Sequence, residues 1–226
     1  MNVGILGTGM VGRAHAAKLA VSGHEVKIGT RDVARKLAET EADPMGNRPF
    51  SVWQKDHSGV KLVPFGEAAA HGEVVINALH GQAAVEALKK IAPGLDGKIL
   101  IDIANPLDFS KGMPPSLFVC NTDSLGEQIQ RALPATKVVK TLNTITAHLQ
   151  VDPGRLAGGD HHAFVSGNDA AAKARVIELL KAWYSWTNII DLGDISTARG
   201  AEMVLILWTQ LWGAAKTPFF NFKIVR

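Results

Sequence analysis

The sequence predicts an α/β fold: a Rossmann-type doubly wound parallel sheet with a small α/β C-terminal dimerisation domain. Three observations predict it. A short apolar strand pattern (Val3, Ile5, Leu6) runs directly into Gly7-Thr8-Gly9-Met10-Val11-Gly12 and then into a helical stretch. Six strand-like runs follow one another with helical segments between them, the order that gives a parallel sheet with right-handed crossovers. The residues after about position 160 are too few for a second large domain, which divides the chain into 1–160, a dinucleotide-binding domain, and 161–226, a small substrate and dimerisation domain.

The glycine-rich turn between strand and helix is a place to hold a pyrophosphate. Gly7 permits the tight turn, Gly9 lets the backbone approach the phosphates, and Gly12 lets helix and strand pack closely. The anion then rests on unpaired N–H groups at the positive end of the helix over residues 13–21. Ser22-Gly23-His24 ends that helix, and a second strand over 25–28 closes in Gly29-Thr30-Arg31-Asp32. Thr30 lies 18 residues beyond Gly12, close to the ~20 at which a ribose-reading residue is expected. Arg31 and, one helical turn later, Arg35 stand beside the Thr30 hydroxyl. Two guanidinium groups there suit the 2′-phosphate of NADP, since Arg gives bidentate, charge-assisted hydrogen bonds. Asp32 is the dissenting residue, able to restore a preference for NAD if it points inward. The plainer alternative is the basic first turn of a surface helix.

Residues 43–59 are turn-rich, with Phe50 and Trp53 inside. They read either as a loop packing over the adenine side of the cofactor or as a solvent-facing insertion anchored by Trp53. A third strand spans 60–63, and a short helix spans 67–70. The fourth strand, 73–78, ends in Ala78-Leu79-His80-Gly81, followed by a helix over 82–91. The fifth, 98–103, ends in Ala104-Asn105-Pro106-Leu107, where proline enforces an extended turn. Residues 108–115 read as a loop, and Ser124 to Glu127 as a capping box opening a helix to 133. The sixth strand, 137–141, is followed by Leu142-Asn143-Thr144. Ligands of open parallel sheets bind beyond the carboxyl ends of strands. Ala78, Leu79, His80, Ala104, Asn105, Pro106 and Asn143 therefore join the glycine turn as candidate cofactor contacts. An asparagine offers both a donor and an acceptor to a nicotinamide carboxamide or its ribose. His80 reads equally as a cap or surface histidine.

Beyond an irregular stretch over 147–159, residues 164–166 are strand-like, and Asn168 or Asp169 can cap a helix to Tyr184. Another short strand spans 189–192. Ser196 or Thr197 then opens a last helix to about Lys216 that is apolar almost all round. A helix without a wet face is expected to be buried, here against a second copy of the chain.

Composition excludes several classes. Of 226 residues, 46% are hydrophobic and 20% charged, as in ordinary globular proteins, and the net charge of +3 is not gathered into a basic run that would suit nucleic acid. The single cysteine, Cys120, rules out an internal disulfide framework and fits a reducing, cytoplasmic setting. No signal peptide is expected, and no apolar run approaches the ~20 residues of a membrane span. Asp160-His161-His162 resembles a metal signature, but neighbouring histidines on an extended segment point to opposite faces; no metal site is expected. Cys120 lacks the setting of a nucleophile, and Tyr184, the only tyrosine, has no lysine four residues later. With no clear acid/base pair, direct hydride transfer between two stacked rings fits best. Such chemistry asks the protein for orientation and exclusion of water, with His80 and Asn143 as candidate orienting groups and no catalytic acid or base.

The glycine turn, Ile28-Gly29-Thr30-Arg31, Asn105-Pro106, the run from Val138 to Thr144 and Asp191-Leu192-Gly193-Asp194 resemble the NADPH:coenzyme F-420 (8-hydroxy-5-deazaflavin) oxidoreductase family, whose fold is shared by the cytoplasmic domain of the STEAP metalloreductases. The resemblance covers nearly the whole chain. It implies a homodimer, hydride exchange between NADP(H) and the deazaflavin of coenzyme F-420, and phosphate-binding roles for Thr30, Arg31 and Arg35. Two departures stand out. The fourth-strand tip lacks the proline and tryptophan that some members carry there, and the 43–59 insertion is unlike compact archaeal members. The alternatives are an NADPH-dependent flavin or metal reductase, and a redox-inactive NADP-binding sensor module.

Overall fold

Val3, Ile5 and Leu6 have no exposed surface, which places the first strand at the centre of a sheet. In the computed structural model, which describes residues 1–43 and 46–226, that strand is β1 (Asn2–Leu6), followed by α1 (Met10–Val21). Pro44, one of the residues that made 43–59 look turn-rich, lies outside the described residues. There follow β2 (Glu25–Thr30), α2 (Val33–Leu37), α3 (Phe50–Asp56), β3 (Val60–Pro64), α4 (Phe65–His71), β4 (Val74–Asn77) and α5 (Gly81–Lys89). The chain continues through β5 (Ile99–Asp102), β6 (Leu107–Asp108), β7 (Ser116–Leu117), α6 (Leu125–Ala132), β8 (Lys137–Thr141) and α7 (Ala147–Val151). It closes with β9 (Ala163–Ser166), α8 (Ala170–Tyr184), β10 (Ile189–Gly193) and α9 (Ala198–Ala215).

Eight strands form one sheet in the order β10-β9-β8-β5-β4-β1-β2-β3. Neighbours are parallel except β8 and β9, which pair antiparallel. The six expected strands are all present. The order reverses at β1, with β2 and β3 to one side and β4, β5 and β8 to the other, which creates the crevice where such sheets bind ligands. β9 and β10, from the region after 160, extend the same sheet.

Successive side chains point to opposite faces of a strand, and both faces here are covered. Val3, Ile5, Val26, Ile28, Val74, Ile76 and Val139 pack with α1, α7 and α8. Leu6, Val75, Leu100 and Val138 pack with α4, α5 and α6. Each fully buried aliphatic side chain contributes about 1.5–3 kcal/mol. The first layer is pinned by a buried polar chain. Gln150 Nε2 donates to the carbonyls of Leu142 (3.0 Å) and Ile145 (2.8 Å), so its Oε1 accepts from His15 Nε2 (3.0 Å), and His15 Nδ1 accepts the Tyr184 hydroxyl (2.6 Å). Burial lowers the His15 pKa to about 4, and it pushes the Tyr184 hydroxyl well above its ordinary value.

Three elements differ from expectation. α1 begins at Met10 rather than Arg13, because extended Gly9 already serves as its N-cap. The stretch 43–59 contains α3, whose Phe50 and Trp53 are buried under the Arg13 guanidinium at 5.3 and 5.8 Å from their ring centroids. Arg13 also donates to the carbonyls of Thr8 and Arg48, fastening this segment to the glycine turn. The loop expected over 108–115 is present from 109 to 115, but it joins two short strands, β6 and β7, as an antiparallel hairpin. Within one chain, α9 buries a single face. Ala198, Ala201, Glu202, Leu205 and Thr209 face inward, whereas Met203, Leu207 and Leu211 form an exposed stripe.

The expected caps take a definite form. Ser124 Oγ accepts the Glu127 N–H (3.1 Å), and Asp169, not Asn168, caps α8 through the Ala172 N–H (2.7 Å). His161 Nε2 contacts the Pro153 carbonyl, and His162 Nδ1 accepts the Ile224 N–H, so both rings hold local backbone or the C-terminal tail. Among the described residues no three His, Cys, Asp or Glu side chains cluster as metal ligands, and no helix is long and apolar enough to cross a membrane.

Candidate active site at the strand tips

The glycine turn has the form a pyrophosphate requires. Gly7 adopts φ +112°, a region L side chains rarely enter, and a Cβ there would lie 2.5 Å from the Ala78 carbonyl. A Cβ on Gly12 would lie 2.0 Å from the Gly7 carbonyl, whereas one on Gly9 would meet nothing within 4 Å. The turn is thus closed beneath and open above. No side chain caps the start of α1 and no acidic residue sits in its first turn. The N–H groups of that turn and the helix dipole remain available to an anion. Val11 lies half-buried beside the open face.

On the β2 side, Thr30, Arg31, Asp32, Arg35, Lys36 and Glu39 surround a cavity of about 350 Å³. Asp32, the dissenting residue, lines this cavity and also serves its own helix. Its Oδ1 accepts the Arg35 N–H at 2.9 Å and caps α2. Lys36 is held by Glu39 at 2.7 Å, which leaves Arg31 and Arg35 as exposed cations beside the Thr30 hydroxyl. A phosphomonoester fits this donor set; a bare ribose diol would leave both guanidinium groups unused.

On the other side of β1, the tips of β4, β5 and β8 come together. Asn105 Nδ2 donates to the Asn143 carbonyl (2.9 Å), and Asn143 Nδ2 donates to Asn105 Oδ1 (3.0 Å) and the Ala201 carbonyl (3.0 Å). Asn143 Oδ1 has no partner among the described residues. A Cβ on Gly81 would lie 2.0 Å from the Asn105 carbonyl, so α5 rests directly on this tip. Ala78 and Leu79 are half-buried, while Ala104 and Pro106 are buried as its floor. His80 is exposed, N-caps α5 without a side-chain hydrogen bond, and lies 6.3 Å from the Phe109 ring at the hairpin tip. Phe109, Met113 and Phe118 are exposed on that hairpin, giving the mouth an apolar flank. A larger concavity, about 530 Å³, lies on the outer face of α1 among Arg13, Arg48, Trp53, His57 and Arg155. It shares Met10 with the turn but none of the strand-tip residues.

Beneath the asparagine pair runs a buried ionic chain absent from the candidate residues above. Asn77 Nδ2 donates to Asp102 Oδ1 (2.7 Å), and Lys140 Nζ reaches Asp102 Oδ2 (2.9 Å), Glu202 Oε1 (2.8 Å) and the Ala104 carbonyl. Glu202 also accepts the N–H groups of Leu125 (2.8 Å) and Gly126 (2.9 Å) at the start of α6. Burial alone would lower the Lys140 pKa, but Asp102 and Glu202 outweigh it and raise it. The sequence does carry a signal: Asp102 and Lys140 are charged residues inside apolar strand runs, where charges are almost never buried unpaired. Nothing local marks Glu202, 62 residues further on, as their partner.

A switch-point crevice with an open glycine turn, a cavity bearing Arg31 and Arg35 and convergent polar strand tips defines a dinucleotide-dependent oxidoreductase. Comparison with known proteins narrows the class. The model of the family "NADP oxidoreductase coenzyme F420-dependent" matches residues 2–106. A crystal structure of an Arthrobacter sp. FB24 protein, provisionally described as an F420-dependent NADP reductase, is 58% identical over the full length of both chains, with a TM-score of 0.94. The F420-dependent NADP reductase of Methanothermobacter marburgensis is 28% identical over 93% of this chain and 92% of its own. Rat Metalloreductase STEAP3 is also 28% identical over 93% of this chain, which spans only 37% of that protein. The chain belongs to the coenzyme F420-dependent NADP oxidoreductase family.

Proposed function

We propose that the protein transfers hydride between NADP(H) and a deazaflavin of the coenzyme F-420 type at the tips of β4, β5 and β8. The observation that carries the reading is the interlocked Asn105–Asn143 pair, whose Asn143 Oδ1 has no partner among the described residues, at the tip on which the His80-capped helix α5 rests. NADPH supplies a hydride and is left with a cationic nicotinamide ring. The chain's own residues supply position. Gly7, Thr8, Gly9, Met10, Val11 and Gly12 cradle the pyrophosphate, while Thr30, Arg31 and Arg35 take the 2′-phosphate. Asn143 Oδ1 accepts from the carboxamide, and Ala78, Leu79, Ala104 and Pro106 wall the ring. His80 and the hairpin aromatics flank the acceptor and keep water from it. No acid or base is required, because hydride passes from ring to ring.

Three further features belong to this reading. The protein acts as a homodimer through the Met203, Leu207 and Leu211 stripe of α9, since adjacent turns of one helix present leucine-type side chains to solvent. Residues 161–226 supply the dimerisation surface and the acceptor side. The setting is the cytoplasm, in keeping with the unpaired, exposed Cys120. The likeness to STEAP3 over most of the chain favours one second reading, a flavin or ferric chelate as acceptor. NADPH oxidation with coenzyme F-420, FMN and ferric chelate supplied in turn tests both. Turnover is expected with the deazaflavin; tight NADPH binding without turnover on any acceptor would remove the enzyme assignment.

A further inference from the structure

The Asp102–Lys140–Glu202 cluster has an unequal charge count. Lys140, Asp102 and Glu202 are each at most 1% exposed, and the carboxylate oxygens face donors only. Asp102 Oδ1 takes Asn77 Nδ2 and the Ala104 N–H (3.2 Å), and Oδ2 takes Lys140. Glu202 Oε1 takes Lys140 and the Gly126 N–H, and Oε2 takes the Leu125 N–H. A proton on either carboxyl would have no acceptor, so both are ionised against one ammonium. The neighbouring Glu127–Arg199 pair (2.6 Å) is balanced and contributes no excess. A buried negative charge therefore remains beneath Ala104, Asn105 and Asn143, only partly offset by the positive end of α6.

We propose that this surplus carboxylate tunes the cofactor, holding the cationic, oxidised nicotinamide more tightly than the neutral, reduced one. The proposal rests on the placement of the nicotinamide at the Asn105–Asn143 pair. The reaction it biases is balanced: NADPH loses two electrons and one hydrogen as hydride to become NADP⁺. The deazaflavin gains that hydride and then takes one proton from solvent. Stabilising the NADP⁺ side of the bound pair makes the enzyme a stronger hydride donor to its acceptor. α9 thereby contributes to the chemistry through Glu202 without touching the ring.

The test is the ratio Kd(NADP⁺)/Kd(NADPH), measured by fluorescence titration without any acceptor. A unit charge about 10 Å away at an effective dielectric near 20 shifts an equilibrium about tenfold. Glu202→Gln is expected to raise the ratio about tenfold, and Asp102→Asn, which removes the same charge from the other side of Lys140, to raise it likewise. The Lys140→Met/Glu202→Gln double variant restores the native charge count while breaking more contacts, and its ratio is expected within about threefold of wild type. A purely structural role makes the double variant at least as displaced as the single ones. Single-variant ratios within twofold of wild type, or a double variant displaced as far as Glu202→Gln, overturn the proposal. An Asn143→Ala variant with wild-type kcat and wild-type affinity for both NADP⁺ and NADPH would instead overturn the nicotinamide placement on which it rests.

Discussion

Replacing Arg31 by alanine isolates the basis of cofactor choice. Arg31 is exposed beside Thr30 on a cavity whose other carboxylates are occupied, Asp32 by the Arg35 N–H and Glu39 by Lys36. A hydrogen bond to a charged group is worth about 1.5–3 kcal/mol, and the phosphate carries close to two negative charges. The loss for NADPH should therefore be about 10- to 150-fold in Kd. NADH lacks that phosphate, so its Kd should change less than about threefold. Because the pair is solvent-facing, part of the effect is screened, and the NADPH loss should shrink as salt is raised from 50 mM to about 500 mM. Isothermal titration with both cofactors reads all of this. Equal losses for NADPH and NADH, or a loss insensitive to salt, would show that Arg31 does not meet a phosphate. Asp32→Ser is the companion variant. Serine can keep the α2 cap while removing a negative charge from the cavity, so NADPH should bind a few-fold more tightly.

Other consequences are as direct. His15 is neutral when folded, with a pKa of about 4 against 6.5 in the unfolded chain. Unfolding then takes up a proton between those values, so its stabilising effect is complete above pH 6.5 and falls as pH drops to about 4. The full span is on the order of 3 kcal/mol; urea midpoints that stay flat from pH 7 to 4.5 would contradict it. Gly81→Ala drives a Cβ onto the Asn105 carbonyl, an overpacking cost of about 1–3 kcal/mol, visible as a Tm lowered by about 2–12 °C in a chain of this length. Asn143→Ala should depress kcat about tenfold or more with little effect on NADPH binding, as loss of alignment does; a change confined to KM would assign Asn143 to binding alone. Leu207→Glu with Leu211→Glu should yield a 24.1 kDa species by light scattering where wild type has twice that mass, and a monomeric wild type would remove the dimer.

Much of the sheet was legible because strand and turn chemistry are local. The glycine turn, the Ser124 and Asp169 caps and all six expected strands rest on residues close together in sequence. That Thr30, Arg31 and Arg35 gather at one cavity was legible for the same reason, but the capping role of Asp32 was not, since helix capping and ribose binding both suit an aspartate there. Which side of the nearly all-apolar α9 meets the sheet was not legible, because it depends on Glu202 finding Lys140. The helix in 43–59 was obscured by flanking turn residues, and the Arg13 contact that stabilises it crosses 35 residues. Pairings of this kind depend on tertiary geometry that no window of the sequence contains.

The continuity of the sheet from β3 to β10 also bears on the mechanics of a catalytic cycle. Many oxidoreductases admit substrate by swinging two lobes apart about a hinge. Here the β8–β9 ladder, with Lys140 opposite Ser166 and Thr141 opposite Val165, ties the later residues to the earlier ones by main-chain hydrogen bonds. Opening at that line would tear a sheet rather than flex a linker. The parts left free to move without breaking that ladder are small and peripheral, above all the β6–β7 hairpin with its exposed Phe109 and Met113. A scaffold of this kind keeps the strand tips that form the crevice in one fixed arrangement, because the sheet that carries them has no internal joint.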